Sequence, residues 1–176
     1  MGARRLILFR HGQAESPDAW ADDFERPLTR RGTEEVREMA SRLKQSGRMP
    51  GILLVSPAER AWATALIIAE ICELDETAIR CERSLYLATP DAIWQLVSRQ
   101  KSSAAHILVC GHNPGLSELA SRFGPKQKRR ELPTAGTATA TWPGGEWSTL
   151  SPRSAINCDM DDPQSADDQP DCPPTV

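Results

Sequence analysis

Three apolar runs, each cut off by polar chemistry, set out the plan of the chain. Leu6-Ile7-Leu8-Phe9 stops at Arg10-His11-Gly12, Ile52-Leu53-Leu54-Val55 at Ser56-Pro57-Ala58-Glu59-Arg60, and Ile107-Leu108-Val109-Cys110 at Gly111-His112-Asn113. Short runs that are continuously apolar predict strands buried on both faces, as at the centre of a parallel sheet. Between them, apolar positions recur at helical spacing. Thr29 caps a helix carrying Val36, Met39, Ala40 and Leu43 until Gly47 ends it. Ser56 as cap, Pro57 at the first position and Glu59 as capping-box partner open a second helix, largely buried through Ala61, Trp62, Ala65, Leu66, Ile68, Ala69 and Ile71. Thr89-Pro90 starts a third with Ile93, Trp94 and Val97 on one face, and Asn113-Pro114 a short fourth through Leu119. Ala78 to Cys81 is extended. Ala135 to Trp142 reads as a small-residue strand, with a hairpin partner around Trp147 beyond the Pro143-Gly144-Gly145 turn. Residues 13–28 are polar and punctuated, a long loop.

At 176 residues the chain is large enough for one domain with its own core. That domain is expected over residues 1–153. Residues 154–176, rich in Asp, Pro, Ser and Gln, read as an acidic disordered tail. The apolar stretches are too short to span a bilayer and the amino terminus has no signal-peptide h-region, so no membrane association is expected. A formal charge of −3 argues against general nucleic-acid binding, and the run Lys126-Gln127-Lys128-Arg129-Arg130 is expected to be a solvated loop. The five cysteines are an odd number, and Cys72, Cys81 and Cys110 fall in core-like segments. They are expected to be reduced thiols in a cytoplasmic protein.

The chemistry concentrates at the strand ends. His11, Arg60 and His112 each follow a different strand, so a parallel sheet brings them to one edge with Arg10 beside them. Two arginines and two histidines beside helix amino termini make an anion site, because guanidinium forks match phosphate oxygens. A zinc site from His106, Cys110 and His112 lacks a Cys-x-x-Cys pair and a fourth ligand. Gly111 to Gly115 lacks the lysine of a Walker loop.

Arg10-His11-Gly12, Ser56-Pro57 with Arg60, and Gly111-His112 together resemble the histidine phosphatase superfamily. Arg26-Pro27-Leu28-Thr29 with Gly32, Leu85-Tyr86-Leu87-Ala88, Gly111-His112-Asn113-Pro114 and Pro133-Thr134 are similar to the SixA-type phosphohistidine phosphatases within it. The resemblance covers about residues 5 to 152. It implies a three-layer α/β/α sandwich around a mostly parallel sheet, of the phosphoglycerate mutase-like kind. It also implies a covalent phosphohistidine intermediate on His11, and Arg10, Arg60 and His112 bound to the phosphoryl oxygens with Gly12 and Asn113. No metal and no cofactor are implied.

The residues themselves agree with these roles. His11 must be neutral to attack phosphorus, and two permanent cations beside it disfavour imidazolium. One position departs from the family. Mutase-like and many alkyl-phosphatase members carry a glutamate proton donor before the leucine of the loop after the third strand, and here Ser84 precedes Leu85. Glu82 is two residues away, and Asp18, Asp22 and Asp23 lie in the long first loop as other possible acids. Since imidazole is a good leaving group and alkoxide is not, a monomeric phosphatase acting on a phosphohistidine-bearing protein is expected. The alternatives are a small-molecule phosphomonoesterase and a non-catalytic phosphate-binding module.

Overall fold

The structure, a computed structural model, describes residues 2–124 and 131–166. The six strands are β1 (Arg4–Arg10), β2 (Ile52–Val55), β3 (Ile79–Cys81), β4 (His106–Gly111), β5 (Thr137–Trp142) and β6 (Asn157–Asp161), in sheet order β3-β2-β4-β1-β5-β6. Pairings β1–β4, β2–β4 and β2–β3 are parallel, while β5 runs antiparallel to both β1 and β6. Helices α1 (Arg30–Gln45) and α2 (Glu59–Ile71) cover one face, α3 (Pro90–Ser98) and α4 (Gly115–Ala120) the other. The result is the expected three-layer α/β/α sandwich on a mostly parallel sheet.

The apolar runs are buried on both faces because successive strand residues point to opposite sides. Ile7 and Phe9 pack with Leu53, Val55 and Leu108 under Val36, Met39, Ala65 and Ile68 of α1 and α2. Leu6 and Leu8 pack with Leu54, Ile107 and Val109 under Ile93, Val97, Leu116 and Leu119. Thr29 caps α1 by accepting from Gly32 N at 2.9 Å, and Thr89 caps α3 from Ala92 N at 3.2 Å. Leu66, expected to be buried, is an exposed position on α2.

Three expectations are corrected at the carboxyl-terminal end and at the helix starts. Trp147 is not on a hairpin strand. It sits in a 3₁₀ turn, Trp147–Thr149, fully buried, and its indole donates to the Ala104 carbonyl at 2.7 Å. The partner of β5 is β6, which lies beyond residue 153, so the folded domain extends past the expected boundary. An acidic segment can hold a sheet edge here because its alternation is satisfied on both sides. Cys158 and Met160 pack on the core, while Asp161 pairs with Arg42 at 2.8 Å and Asp159 with Arg48 at 3.7 Å. Residues 167–176 and the basic run 126–130 lie outside the described residues. Neither Ser56 nor Asn113 caps the helix expected of it. The N-cap of α2 is Ala58 and that of α4 is Pro114.

Close approach, not unusual backbone angles, explains the glycine after His11. A Cβ on Gly12 would stand 2.7 Å from Val36 Cγ2 and 2.8 Å from the Gly32 carbonyl. The loop after β1 therefore lies directly on the first turn of α1, where Thr29 N donates to Gln13 O at 2.9 Å.

Candidate active site

The parallel register brings the predicted residues together. Arg10 aligns with Gly111 across β1 and β4, and Val55 with Cys110 across β2 and β4, so the three strands end level. Beyond these ends His11 N donates to Gly111 O at 3.2 Å and Ser56 N to Cys110 O at 3.0 Å. The ring centroids of His11 and His112 are 5.1 Å apart. Arg60 enters from the first turn of α2, whose Thr64 hydroxyl bonds the Arg60 carbonyl at 2.7 Å and accepts from Gly12 N at 3.1 Å. The segment before β5 closes the far side, with Ala135 N donating to His11 O at 3.1 Å.

Each ring has one nitrogen held by a short hydrogen bond. His11 Nδ1 lies 2.7 Å from Gly12 O. A carbonyl only accepts, so Nδ1 carries the hydrogen and Nε2 keeps its lone pair, with Arg60 Nε donating toward it at 3.3 Å. His112 Nε2 lies 2.7 Å from Ser56 Oγ, which also accepts weakly from Ala58 N at 3.4 Å. The hydroxyl hydrogen is then best spent on His112 Nε2, which leaves Nδ1 protonated. That Nδ1 is buried with no partner among the described residues, as is Arg10 Nε, while Arg10 Nη1 donates to Leu132 O at 2.7 Å. Buried donors without partners cost free energy unless a ligand supplies an acceptor.

His11 is 9% exposed, His112 3% and Arg60 2%. Burial pulls His11 down to about 4, assisted by the Arg60, Arg10 and Arg26 cations and opposed by the hydrogen bond to the Gly12 carbonyl. Burial likewise carries His112 down to about 3, with His11 and Arg60 adding to it. Both rings are therefore neutral near pH 7, which leaves a lone pair on His11 Nε2.

A cavity of about 490 Å³ opens over these groups, lined by Arg10, His11, Arg26, Arg60, His112, Asn113 and Asp23 among others. Asn113 donates to Leu132 O at 2.9 Å and accepts from Ser117 Oγ at 2.7 Å. Gly12 acts through its backbone, as given above. Glu82 and Asp18 do not line the cavity. The carboxylate that does is Asp23, in a 3₁₀ turn, Asp23–Glu25. Its Oδ2 accepts from Arg60 Nη2 and from the Tyr86 hydroxyl, each at 2.9 Å, and its Oδ1 pairs with Arg26 Nη2 at 2.7 Å. Burial pushes this acid up, but the bonds from Tyr86, Arg60 and Arg26 outweigh it and hold it at about 2. Asp23 is thus an anchor for two guanidiniums. Three arginines against one carboxylate leave the wall with two net positive charges, suited to a phosphoryl dianion.

Sequence reasoning did not single out Arg26, Ser56 or Tyr86 as part of this site. The available signal was the pair of segments Arg26-Pro27-Leu28-Thr29 and Leu85-Tyr86-Leu87-Ala88. His106, Cys110 and His112 do not form a metal centre: among the described residues no group of three or more His, Cys, Asp or Glu is placed to hold an ion.

Comparison with known proteins agrees with this fold. Residues 6–85 match the sequence family "histidine phosphatase superfamily (branch 1)". An uncharacterized protein of Picosynechococcus is 34% identical over 140 residues, covering 74% of this chain and 81% of that protein. The structure of the protein histidine phosphatase SixA complexed with tungstate superposes with a TM-score of 0.76 at 23% identity, over 92% of this chain and 99% of that one. A phosphohistidine phosphatase SixA from Nakamurella multipartita, assigned provisionally, gives 0.73 at 24% identity over 88% and 93%.

Proposed function

This chain belongs to the histidine phosphatase superfamily, and on that premise we propose that it hydrolyses phosphohistidine carried on a protein. His11 Nε2 attacks phosphorus as the P–N bond to the substrate imidazole breaks, leaving the phosphoryl group on His11 and returning the substrate histidine with a proton from water. A second water then attacks the phosphorus on His11, the new P–N bond breaks, and inorganic phosphate leaves. Throughout, the hydrogen stays on His11 Nδ1, donated to the Gly12 carbonyl, and leaves the Nε2 lone pair for phosphorus. Arg10 and Arg60, with the Nδ1–H of His112, hold the equatorial oxygens as charge builds on them.

One observation carries the choice of substrate. Asp23, the carboxylate on the cavity wall, is ionised and tied to two arginines, so it cannot protonate a leaving oxygen. An alkoxide needs that proton. A histidine ring, whose ordinary value is about 6.5, takes it from solvent. The neighbour complexed with tungstate is itself a protein histidine phosphatase. The test is kcat/KM for a phosphohistidine protein beside an alkyl phosphate. The reading requires the first to be far larger, and equal efficiency would overturn it.

A further inference from the structure

A second hollow of about 480 Å³ is lined by chain neighbours of residues that line the catalytic cavity. Trp20, Phe24, Pro27 and Pro57 line it, with the carboxylates of Glu25 and Glu59. Both of its sides are built on catalytic segments. The Asp23–Glu25 turn gives Asp23 to the cavity and Phe24 and Glu25 to the hollow, while the stretch from Ser56 to Arg60 gives Pro57 and Glu59. The Phe24 ring meets Tyr86 edge-on at 5.2 Å, and Tyr86 meets His112 at 5.5 Å, so packed rings join the two spaces.

The chemistry of the hollow is the reverse of the cavity's. Trp20 is 40% exposed, an unusual exposure for so large a ring. Glu25 and Glu59 are exposed, and neither enters a salt bridge with another described residue. Aromatic and proline surface beside two unpaired carboxylates complements a long aliphatic stem ending in a cation. In the catalytic cavity three guanidiniums repel such a group and attract a phosphoryl group. A segment bearing both charges is therefore sorted between the two spaces by sign.

We propose that this hollow is a subsite for a lysine or arginine side chain flanking the phosphohistidine of the protein substrate, so that the chain selects phosphohistidines in basic surroundings. The inference rests on the phosphohistidine reading of the catalytic cavity and names a part of the substrate that reading leaves open.

The test uses two phosphohistidine peptides, identical except that one carries lysine or arginine beside the phosphohistidine and the other alanine, with phosphoramidate as a substrate that has no flank. Exposed ion pairs and a cation on an aromatic face are each worth a few-fold, so the wild type should favour the basic peptide by about tenfold in kcat/KM. In a Glu25→Gln/Glu59→Gln double variant the preference should fall to about twofold or less, with phosphoramidate turnover unchanged. Trp20→Ala should reduce it in the same direction. Equal rates on the two peptides in the wild type, or a preference undiminished in the double variant, overturns the subsite alone. A fall in phosphoramidate turnover in the double variant also overturns it, by assigning the effect to the catalytic cavity. Failure to hydrolyse either peptide or phosphoramidate, with an alkyl phosphate turned over, refutes the phosphohistidine reading and the subsite with it.

Discussion

Ser56 Oγ stands 2.7 Å from His112 Nε2, and this contact decides which nitrogen of His112 carries the hydrogen. The backbone amide of Ala58 points at the same hydroxyl oxygen from 3.4 Å, which favours the hydroxyl as donor to the ring. Ser56→Ala removes that bias, and a share of the molecules then presents a lone pair to the phosphoryl oxygens. The expected cost is on the order of tenfold in kcat with little change in KM, smaller than the loss of a whole transition-state donor. Nitrogen shifts of the His112 imidazole check the cause directly: Nδ1-protonated in the wild type, mixed in the variant. An unchanged tautomer in the variant would show that Ser56 acts only by packing.

Three of the five N–H donors of the Arg60 fork are engaged, Nε toward His11 Nε2 at 3.3 Å, Nη2 on Asp23 Oδ2 at 2.9 Å and Nη1 on the Asp23 carbonyl at 2.5 Å. Lysine keeps the charge and loses this geometry. Arg60→Lys should lower turnover on the order of tenfold to a thousandfold. Near-normal steady-state rates would mean that Arg60 supplies charge alone.

Asp23→Asn separates anchoring from proton donation. An anchor that loses its charge loosens Arg60 and Arg26, so KM should rise and phosphoramidate turnover should stay within about tenfold of the wild type. A proton donor behaves differently. A loss of about a hundredfold or more confined to substrates with poor leaving groups would identify Asp23 as an acid.

The buried rings set the pH behaviour. With His11 held at about 4 in the folded chain against an ordinary value of 6.5, the ring stays neutral well below neutrality. The acid limb of kcat/KM due to His11 should lie near pH 4, and its imidazole carbon shifts should be flat between about pH 5.5 and 8. Between 6.5 and 4 the unfolded chain takes up a proton that the folded chain refuses, so stability falls as pH falls through that window. His112, at about 3, acts in the same sense. A titration midpoint near 6.5 for His11 would contradict this.

Much of the fold and the core of the site were legible because they are local. A continuous apolar run implies burial on both faces, and the polar residue that ends it stands at the sheet edge, which located Arg10, His11, Arg60 and His112. The rest depends on partners distant in the chain. Ser56 carries a helix-cap signature, and its hydroxyl is drawn instead to a histidine 56 positions away. Asp23 is one of several acids in a polar loop, and only the placing of Arg26, Arg60 and Tyr86 selects it. The acidity of β6 read as disorder because its counter-charges, Arg42 and Arg48, belong to α1 and the turn after it.

Ending the chain at residue 153 removes the strand pairing of β6, the packing of Cys158 and Met160, and two ion pairs. At roughly 2–4 °C per kcal/mol for a domain of this size, the melting temperature should drop on the order of 10 °C. An unchanged melting temperature would mean that the edge strand contributes nothing.

The covalent step is the centre of the account, and rapid quenching tests it most directly. With a protein substrate labelled on its phosphohistidine, quenching in base during turnover should trap acid-labile phosphate on Nε2 of His11, at an amount that rises and decays with the substrate, and His11→Ala should form none. Label on His112, or full turnover with no label on the enzyme at any time, would contradict it.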